Sequence, residues 1–536
     1  MKFDMMRYPF PSRRYAVHGR KGIVATSQYI AAQAGLDALK KGGNAIDAAV
    51  ASAACLTVVE PCSNGIGGDA FAIVWTGGRM YGLNSSGPAP MALSAEKLYS
   101  MGHKTMPVFG WEAVTVPGAP AAWAALNSRF GRLALSDTVS AAIQYAREGF
   151  AVSPIVAEGW NKAERIYRSK LPESLKKHWY DTFTKDGRAP LSAEVFRLPH
   201  HADTLEEIAR TDAKSFYRGE LAGKICEFSS STGGYLDMAD LSAFKPEWAE
   251  PLSVRYRGHE VWELPPNGHG MIALMALNIL EGFDTFVLGD PQALHRQIEA
   301  VKLAFSDGLK YIADPGYMKT DVGELLSPEY AAKRRALIND NAIVPLPGSF
   351  DDHGTVYLAA ADAEGNMVSY IQSNYMGFGS GLVVPGTGIA LHNRGANFSL
   401  DSGSANCLAP GKRPYHTIIP GFLTQGGKPV GPFGVMGGFM QPQGHVQVIV
   451  NMLDYGLNPQ AALDSPRWRW DDGLDIAVEA SFDAGLTNEL SSQGHKLRRE
   501  SSYIGAFGRG QIILRDEHGV LTAGTEPRAD SAAAVW

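Results

Sequence analysis

Two spacing patterns divide the chain. Near the N-terminus apolar residues recur at helical intervals: Ile30, Ala31, Ala34 and Leu39 share a face, and Ser27 stands where a cap is needed. Lys40-Lys41-Gly42-Gly43 then gives the last turn its cations and ends it with glycine. Asn44 caps a second helix, Ala45 to about Leu56, that is apolar nearly all round and so suits a layer covered on both sides. A strand follows over Ala70–Trp75. Residues 119 to about 280 read mainly as helices broken by Pro/Gly loops, with an amphipathic start at Thr204–Ala209. From Tyr357 the period shortens. Tyr357–Ala361, Met367–Gln372 and Gly388–His392 are short, glycine-punctuated segments of strand composition. Helix returns near Gly444–Leu453 and strands near Gly510–Leu514. The mixture predicts an α+β fold, with helices outside two packed antiparallel sheets.

Composition narrows the function. Of 536 residues 45% are hydrophobic and 19% charged, enough for a large core and against wholesale disorder. A net charge of −6 without a basic block argues against a nucleic-acid partner. Cys55, Cys62, Cys226 and Cys407 are scattered, with no spacing for a disulfide framework or a metal, and Cys55 reads as a small core residue. The adjacent pair His200-His201 lacks a third ligand and is expected at the surface. No metal or cofactor is expected. Gly65-Ile66-Gly67-Gly68 lies between a helix and a strand, the reverse of a dinucleotide loop. Ala45–Val59, the longest apolar stretch, contains Asp47 and is shorter than the roughly twenty residues a membrane span needs. Met1–Arg20 mixes charges and prolines without an apolar leader segment, so a cytoplasmic protein with no membrane partner is expected.

Candidate chemistry centres on Gly354-Thr355, where a polar loop turns into the apolar run Val356-Tyr357-Leu358. A threonine here is ordinarily just the first residue of a strand. If the chain is cut before it, one residue carries both a hydroxyl nucleophile and its base, because a free α-amine has a pKa of roughly 7.7–8.0.

Ordered motifs decide between these readings. Val24-Ala25-Thr26-Ser27, Lys41 to Ala49 and Gly65 to Gly68 form an N-terminal block, and Glu263-Leu264-Pro265-Pro266-Asn267-Gly268-His269-Gly270 a middle one. Asp362-Ala363-Glu364-Gly365-Asn366, Gly377 to Gly381, Lys412-Arg413-Pro414 and Gly437-Gly438 follow. From about Gly22 to its end the chain resembles the γ-glutamyltranspeptidase family of N-terminal nucleophile hydrolases. That resemblance implies a four-layer αββα sandwich of two antiparallel sheets. Counting back from Asp362 puts the nucleophile on Thr355 and self-cleavage at Gly354–Thr355. The two chains would be 1–354 and 355–536, held as a heterodimer or as a dimer of such heterodimers. Ser373 falls where the family keeps a hydroxyl beside the nucleophile, and Gly437 and Gly438 match its oxyanion glycines. Standing alone, these would be an ordinary strand residue and a plain turn.

The pattern breaks at the donor site. Ser86 stands where the family has the arginine that grips a γ-glutamyl carboxylate, and Asn397 where it has the aspartate for the ammonium. His416 and Thr417 replace its paired hydroxyls, and Tyr375 falls in the same substrate-binding group. Arg394 stands where those enzymes have a neutral amide; it either holds a carboxylate of another acyl donor or makes a salt bridge. The segment Phe398 to Lys412 is short, implying an open site. These departures resemble the cephalosporin (glutaryl) acylase-like and oxamate amidohydrolase side branches. The expected activity is hydrolysis of a small carboxylate-bearing amide, oxamate-like or glutaryl-like, through an acyl-Thr355 intermediate. Alternatives are a γ-glutamyl hydrolase or transpeptidase, and a non-processing scaffold or binding homologue.

Overall fold

Alternation along Val356–Asp362 sets the layering. Tyr357, Ala359 and Ala361 join one apolar core with Phe71, Ile371, Phe422 and Ile513, while Val356, Leu358 and Ala360 join a second with the helix Ala45–Val59. Because both faces are buried the strand is apolar throughout, where a half-solvated strand would alternate. The computed structural model describes residues 4, 8–10, 14–345, 355–500 and 506–536.

Two seven-stranded sheets, antiparallel throughout, pack face to face. One runs, edge to edge, Ala532–Val535, Gly22–Thr26, Val356–Asp362, Met367–Ser373, Asp69–Thr76, Arg79–Ser85, Glu247–Ala249. The other runs Val17–Gly19, Leu521–Thr525, Arg509–Arg515, Lys428–Met436, Gly421–Gln425, His259–Glu263, Leu252–Tyr256. Outside the first lie the helices Tyr29–Lys40 and Ala45–Val59. Outside the second lie Gly270–Glu281, Pro291–Tyr311 and Met440–Leu453. This is the expected αββα sandwich. Residues 1–354 and 355–536 both contribute strands to both seven-stranded sheets, so neither large sheet is complete without the other portion.

Local differences have local causes. The first helix is capped by Gln28, whose Oε1 accepts from Ile30 N at 2.6 Å, because Ser27 is drawn away to Glu60 at 2.5 Å. Asn44 caps as expected, with Asp47 closing a capping box, and its helix continues to Val59 with every residue buried. Gly388–His392 is no strand; Ala390 and Leu391 make only isolated bridges, to Val383 and Gly67. The strands Leu252–Tyr256 and His259–Glu263 interrupt the stretch read as helical. His201 is buried, its Nε2 3.0 Å from Thr57 Oγ1 and its Nδ1 3.3 Å from Gly388 O, which corrects the surface expectation. All four cysteines are free, Cys55 among the buried core. Among the described residues, no helix is long and apolar enough to cross a membrane.

Candidate active site

Thr355 leads into a central strand and is fully buried. Its neighbour in the sheet, Met367–Ser373, ends at Ser373, and the two hydroxyls meet at 2.9 Å. Ser373 Oγ also accepts from the backbone N–H of Tyr375 at 2.8 Å, which fixes its lone-pair direction. Gly354, the other side of the expected scissile bond, lies outside the described residues.

The Gly437-Gly438 turn links the strand Lys428–Met436 to the helix Met440–Leu453. Gly437 has φ +140° and Gly438 φ +57°, and a Cβ on Gly437 would lie 3.0 Å from Gly508 Cα. Glycine is therefore required here by backbone conformation and by close approach. Beside this turn opens a cavity of about 650 Å³, lined by Met376, Gly377, Gly437, Phe439, Tyr167 and Arg469 among others.

A second polar group centres on Asp69, directly opposite Ser373 in the sheet. Its Oδ2 accepts from Arg394 Nε at 3.0 Å, His416 Nε2 at 2.7 Å and His392 Nδ1 at 3.2 Å. Arg394 Nη2 lies 3.4 Å from Oδ1, and Nη1 donates to Thr417 Oγ1 at 2.7 Å. All five side chains are fully out of solvent, or within 1% of it. Burial alone would raise the Asp69 carboxyl; the Arg394 guanidinium and then His416 and His392 hold it well below the usual range. Burial and the Arg394 charge push His416 down to about 4 against the pull of Asp69, so its ring is neutral at pH 7. Its Nδ1 accepts from Ile418 N at 3.3 Å, which leaves Nε2–H as the donor to Asp69. The ring also lies 4.6 Å from that of Phe71.

Tyr375 bridges the two groups. It adopts φ +74°, puts its ring 4.5 Å from the Arg394 guanidinium carbon, and donates its hydroxyl to Asn397 Oδ1. Asn397 Nδ2 is buried and has no partner among the described residues. Ser86 stands apart from the arginine cluster. It is buried, bonded to Asn84 Oδ1 at 2.7 Å, and among the described residues reaches the site through Asn267, whose backbone carbonyl accepts from His416 N at 2.9 Å.

Thr355, Ser373 and Tyr375 thus come together, as do Arg394, Thr417, His416 and, through Tyr375, Asn397. Asp69 and His392 are the residues that sequence reasoning missed. The signal available was an acid opening an otherwise apolar strand, which must find a cation if that strand is central.

The gamma-glutamyltranspeptidase family pattern matches residues 31–536. The chain belongs to the gamma-glutamyltranspeptidase family. Among curated relatives of this family member, the glutathione hydrolase-like YwrD proenzyme of Bacillus subtilis is 37% identical, covering 97% of this chain and 99% of its own length. The oxamate amidohydrolase proenzyme of Klebsiella pneumoniae is 34% identical, with 96% and 98% covered. Among solved structures, a cephalosporin acylase from Bacillus halodurans superposes with a TM-score of 0.96 at 55% identity, covering 100% of this chain and 99% of that one. This gamma-glutamyltranspeptidase-family chain is an N-terminal nucleophile amidohydrolase, and its relatives are made as precursors.

Proposed function

We propose that the precursor is cut between Gly354 and Thr355 and that the resulting heterodimer hydrolyses the amide of a small carboxylate-bearing acyl group. The Thr355 hydroxyl attacks the preceding carbonyl, the acyl group shifts from nitrogen to oxygen and so frees the α-amine, and water hydrolyses the resulting ester to free the hydroxyl and the Gly354 carboxylate. In the mature site that amine takes the proton of the Thr355 hydroxyl as it attacks the substrate carbonyl. The amine of the substrate leaves with the proton, and water resolves the acyl-Thr355 ester. The backbone N–H groups of Gly437 and Gly438 are the oxyanion donors. The observation that carries this reading is the 2.9 Å pair of Thr355 and Ser373 hydroxyls at the start of a central strand, with Asp69 and its Arg394 cluster paired opposite Ser373.

Arg394 fits both roles weighed for it. Asp69 supplies the salt bridge, and the described hydrogen bonds use three of the five guanidinium N–H groups, leaving two for a substrate carboxylate. Serine at position 86 and the neutral Asn397 speak against a γ-glutamyl donor. The test is a substrate panel of oxamate, a glutaryl amide and a γ-glutamyl anilide, run on wild type and Thr355→Ala beside N-terminal sequencing. The reading requires a fragment beginning Thr-Val-Tyr-Leu and turnover of a non-γ-glutamyl amide. Full activity in an intact chain would refute it; preference for the γ-glutamyl anilide would establish the alternative donor.

A further inference from the structure

Away from this site, four buried polar side chains converge outside the second sheet. His295 and Glu299 lie one turn apart on the helix Pro291–Tyr311, so they share a face. His495 reaches them from the turn after the helix Ala484–Ser492. His295, Glu299 and Lys302 are fully buried and His495 is 3% exposed. His295 Nδ1 is 2.9 Å from His495 Nε2, which is 3.8 Å from Glu299 Oε1, and the three ligand atoms all fall within 4.8 Å of one another. The other ring nitrogen of His295 donates to Asn339 O at 2.7 Å. A backbone carbonyl in that position orients a metal-bound imidazole and fixes its tautomer, so that Nδ1 carries the lone pair, which faces His495 Nε2.

We propose that His295, Glu299 and His495 form a structural site for a divalent transition metal, Zn²⁺ by ligand chemistry. Two imidazoles and a carboxylate are a known three-ligand zinc set that leaves the fourth position to a water, and their burial away from the Thr355 site suits an ion that holds structure. To ligate through Nε2, His495 carries its proton on Nδ1, a buried atom with no partner among the described residues. Lys302 is the competitor: its ammonium lies 2.6 Å from Glu299 Oε1, the same oxygen that is 3.8 Å from His495 Nε2, and so pairs with the carboxylate the ion needs. Entry of the ion displaces that ammonium. The ion would join residues on both sides of Thr355, and through Asn339 O and the Ile343 N–H, which donates to Glu299 Oε2 at 3.3 Å, it would fix the stretch 339–343.

The test uses full-length, untagged protein. After removal of loosely held metal, elemental analysis should find a single equivalent of zinc per 536-residue chain. Co²⁺ added to chelator-stripped protein should develop visible absorption that saturates at one equivalent. His495→Gln and His295→Gln should lose that equivalent. Lys302→Met should bind more tightly than wild type, because the competing charge is gone. X-ray absorption at the zinc edge of wild-type protein, which depends on no variant folding, should read two imidazoles. Substoichiometric zinc, an equivalent retained in both histidine variants, or an edge spectrum without imidazole would overturn the site and leave a buried ion pair only.

Discussion

Asp69→Asn tests the charge argument. The substitution keeps size and shape but removes the one negative charge that, among the described residues, pairs with Arg394, His416 and His392, all out of solvent. An amide has a single acceptor oxygen, and its NH₂ points donors at groups that are already donors. One partner therefore loses its acceptor, and the guanidinium is left buried and uncompensated. Breaking a buried pair by deleting one side costs about 3–5 kcal/mol. For a chain of 536 residues that unfolds cooperatively this is a drop of about 3–5 °C in Tm, using about 2 cal/mol/K per residue for the unfolding entropy. Scanning calorimetry with a control for reversibility reads it.

The same substitution carries a sharper, differential expectation. Adding Arg394→Met to Asp69→Asn removes the stranded charge, so the double variant should be more stable than the sum of the two single changes by about 1–3 kcal/mol. Asp69 sits opposite Ser373 and fixes Arg394, so activity responds too: kcat/KM should fall, with KM rising if the guanidinium binds the acyl carboxylate. A Tm within 1 °C of wild type, together with additive energies in the cycle, would refute the view that Asp69 is the counter-charge of this site.

Three further outcomes are expected. Thr355→Ala should stay a single chain on a denaturing gel and turn over nothing, while Thr355→Ser should process and retain measurable hydrolysis, since it keeps the hydroxyl. Gly437→Ala, forced to φ +140° with its Cβ 3.0 Å from Gly508 Cα, should displace an oxyanion donor and lower kcat by about 10²–10³-fold in a steady-state assay. His201 is held down to about 4 by burial, so it is neutral in the fold and takes up a proton on unfolding below pH 6.5. Its contribution is complete above pH 6.5 and lost as pH falls towards 4. Against His201→Gln, wild type should therefore lose about 1.4 kcal/mol more per pH unit across that window, read by denaturant titration at several pH values.

The elements legible in the sequence were those whose signals are local. Asn44 with Asp47 marks a helix start whatever surrounds it, and the glycine after Lys40-Lys41 marks the preceding stop. Ser27 misled because a hydroxyl's choice of partner is tertiary: Glu60, thirty-three residues on, outcompetes the nearby backbone N–H groups. Gly388–His392 has strand composition but packs as a loop touching neighbours at isolated bridges, a pairing decided by distant residues. His201 likewise looks like a surface residue until the loop at Gly388 closes over it.

The candidate site divides the same way. The meeting of Thr355 and Ser373 and the glycine turn follow from local pattern, a hydroxyl at each of two neighbouring strand ends and two glycines between a strand and a helix. Arg394 was legible only as a charge with two possible uses, since nothing in its own neighbourhood states what it faces. Its partner lies 325 residues earlier, and only the register between Met367–Ser373 and Asp69–Thr76 brings that carboxylate opposite Ser373. That register also makes the two uses compatible. Without Asp69 a guanidinium could not stay buried beside Thr417 and Tyr375; with it, the guanidinium is held in one orientation and still has two N–H groups unspent. On the proposed function the salt bridge is the condition for carboxylate binding, and a single position could not express the choice between a structural and a functional arginine.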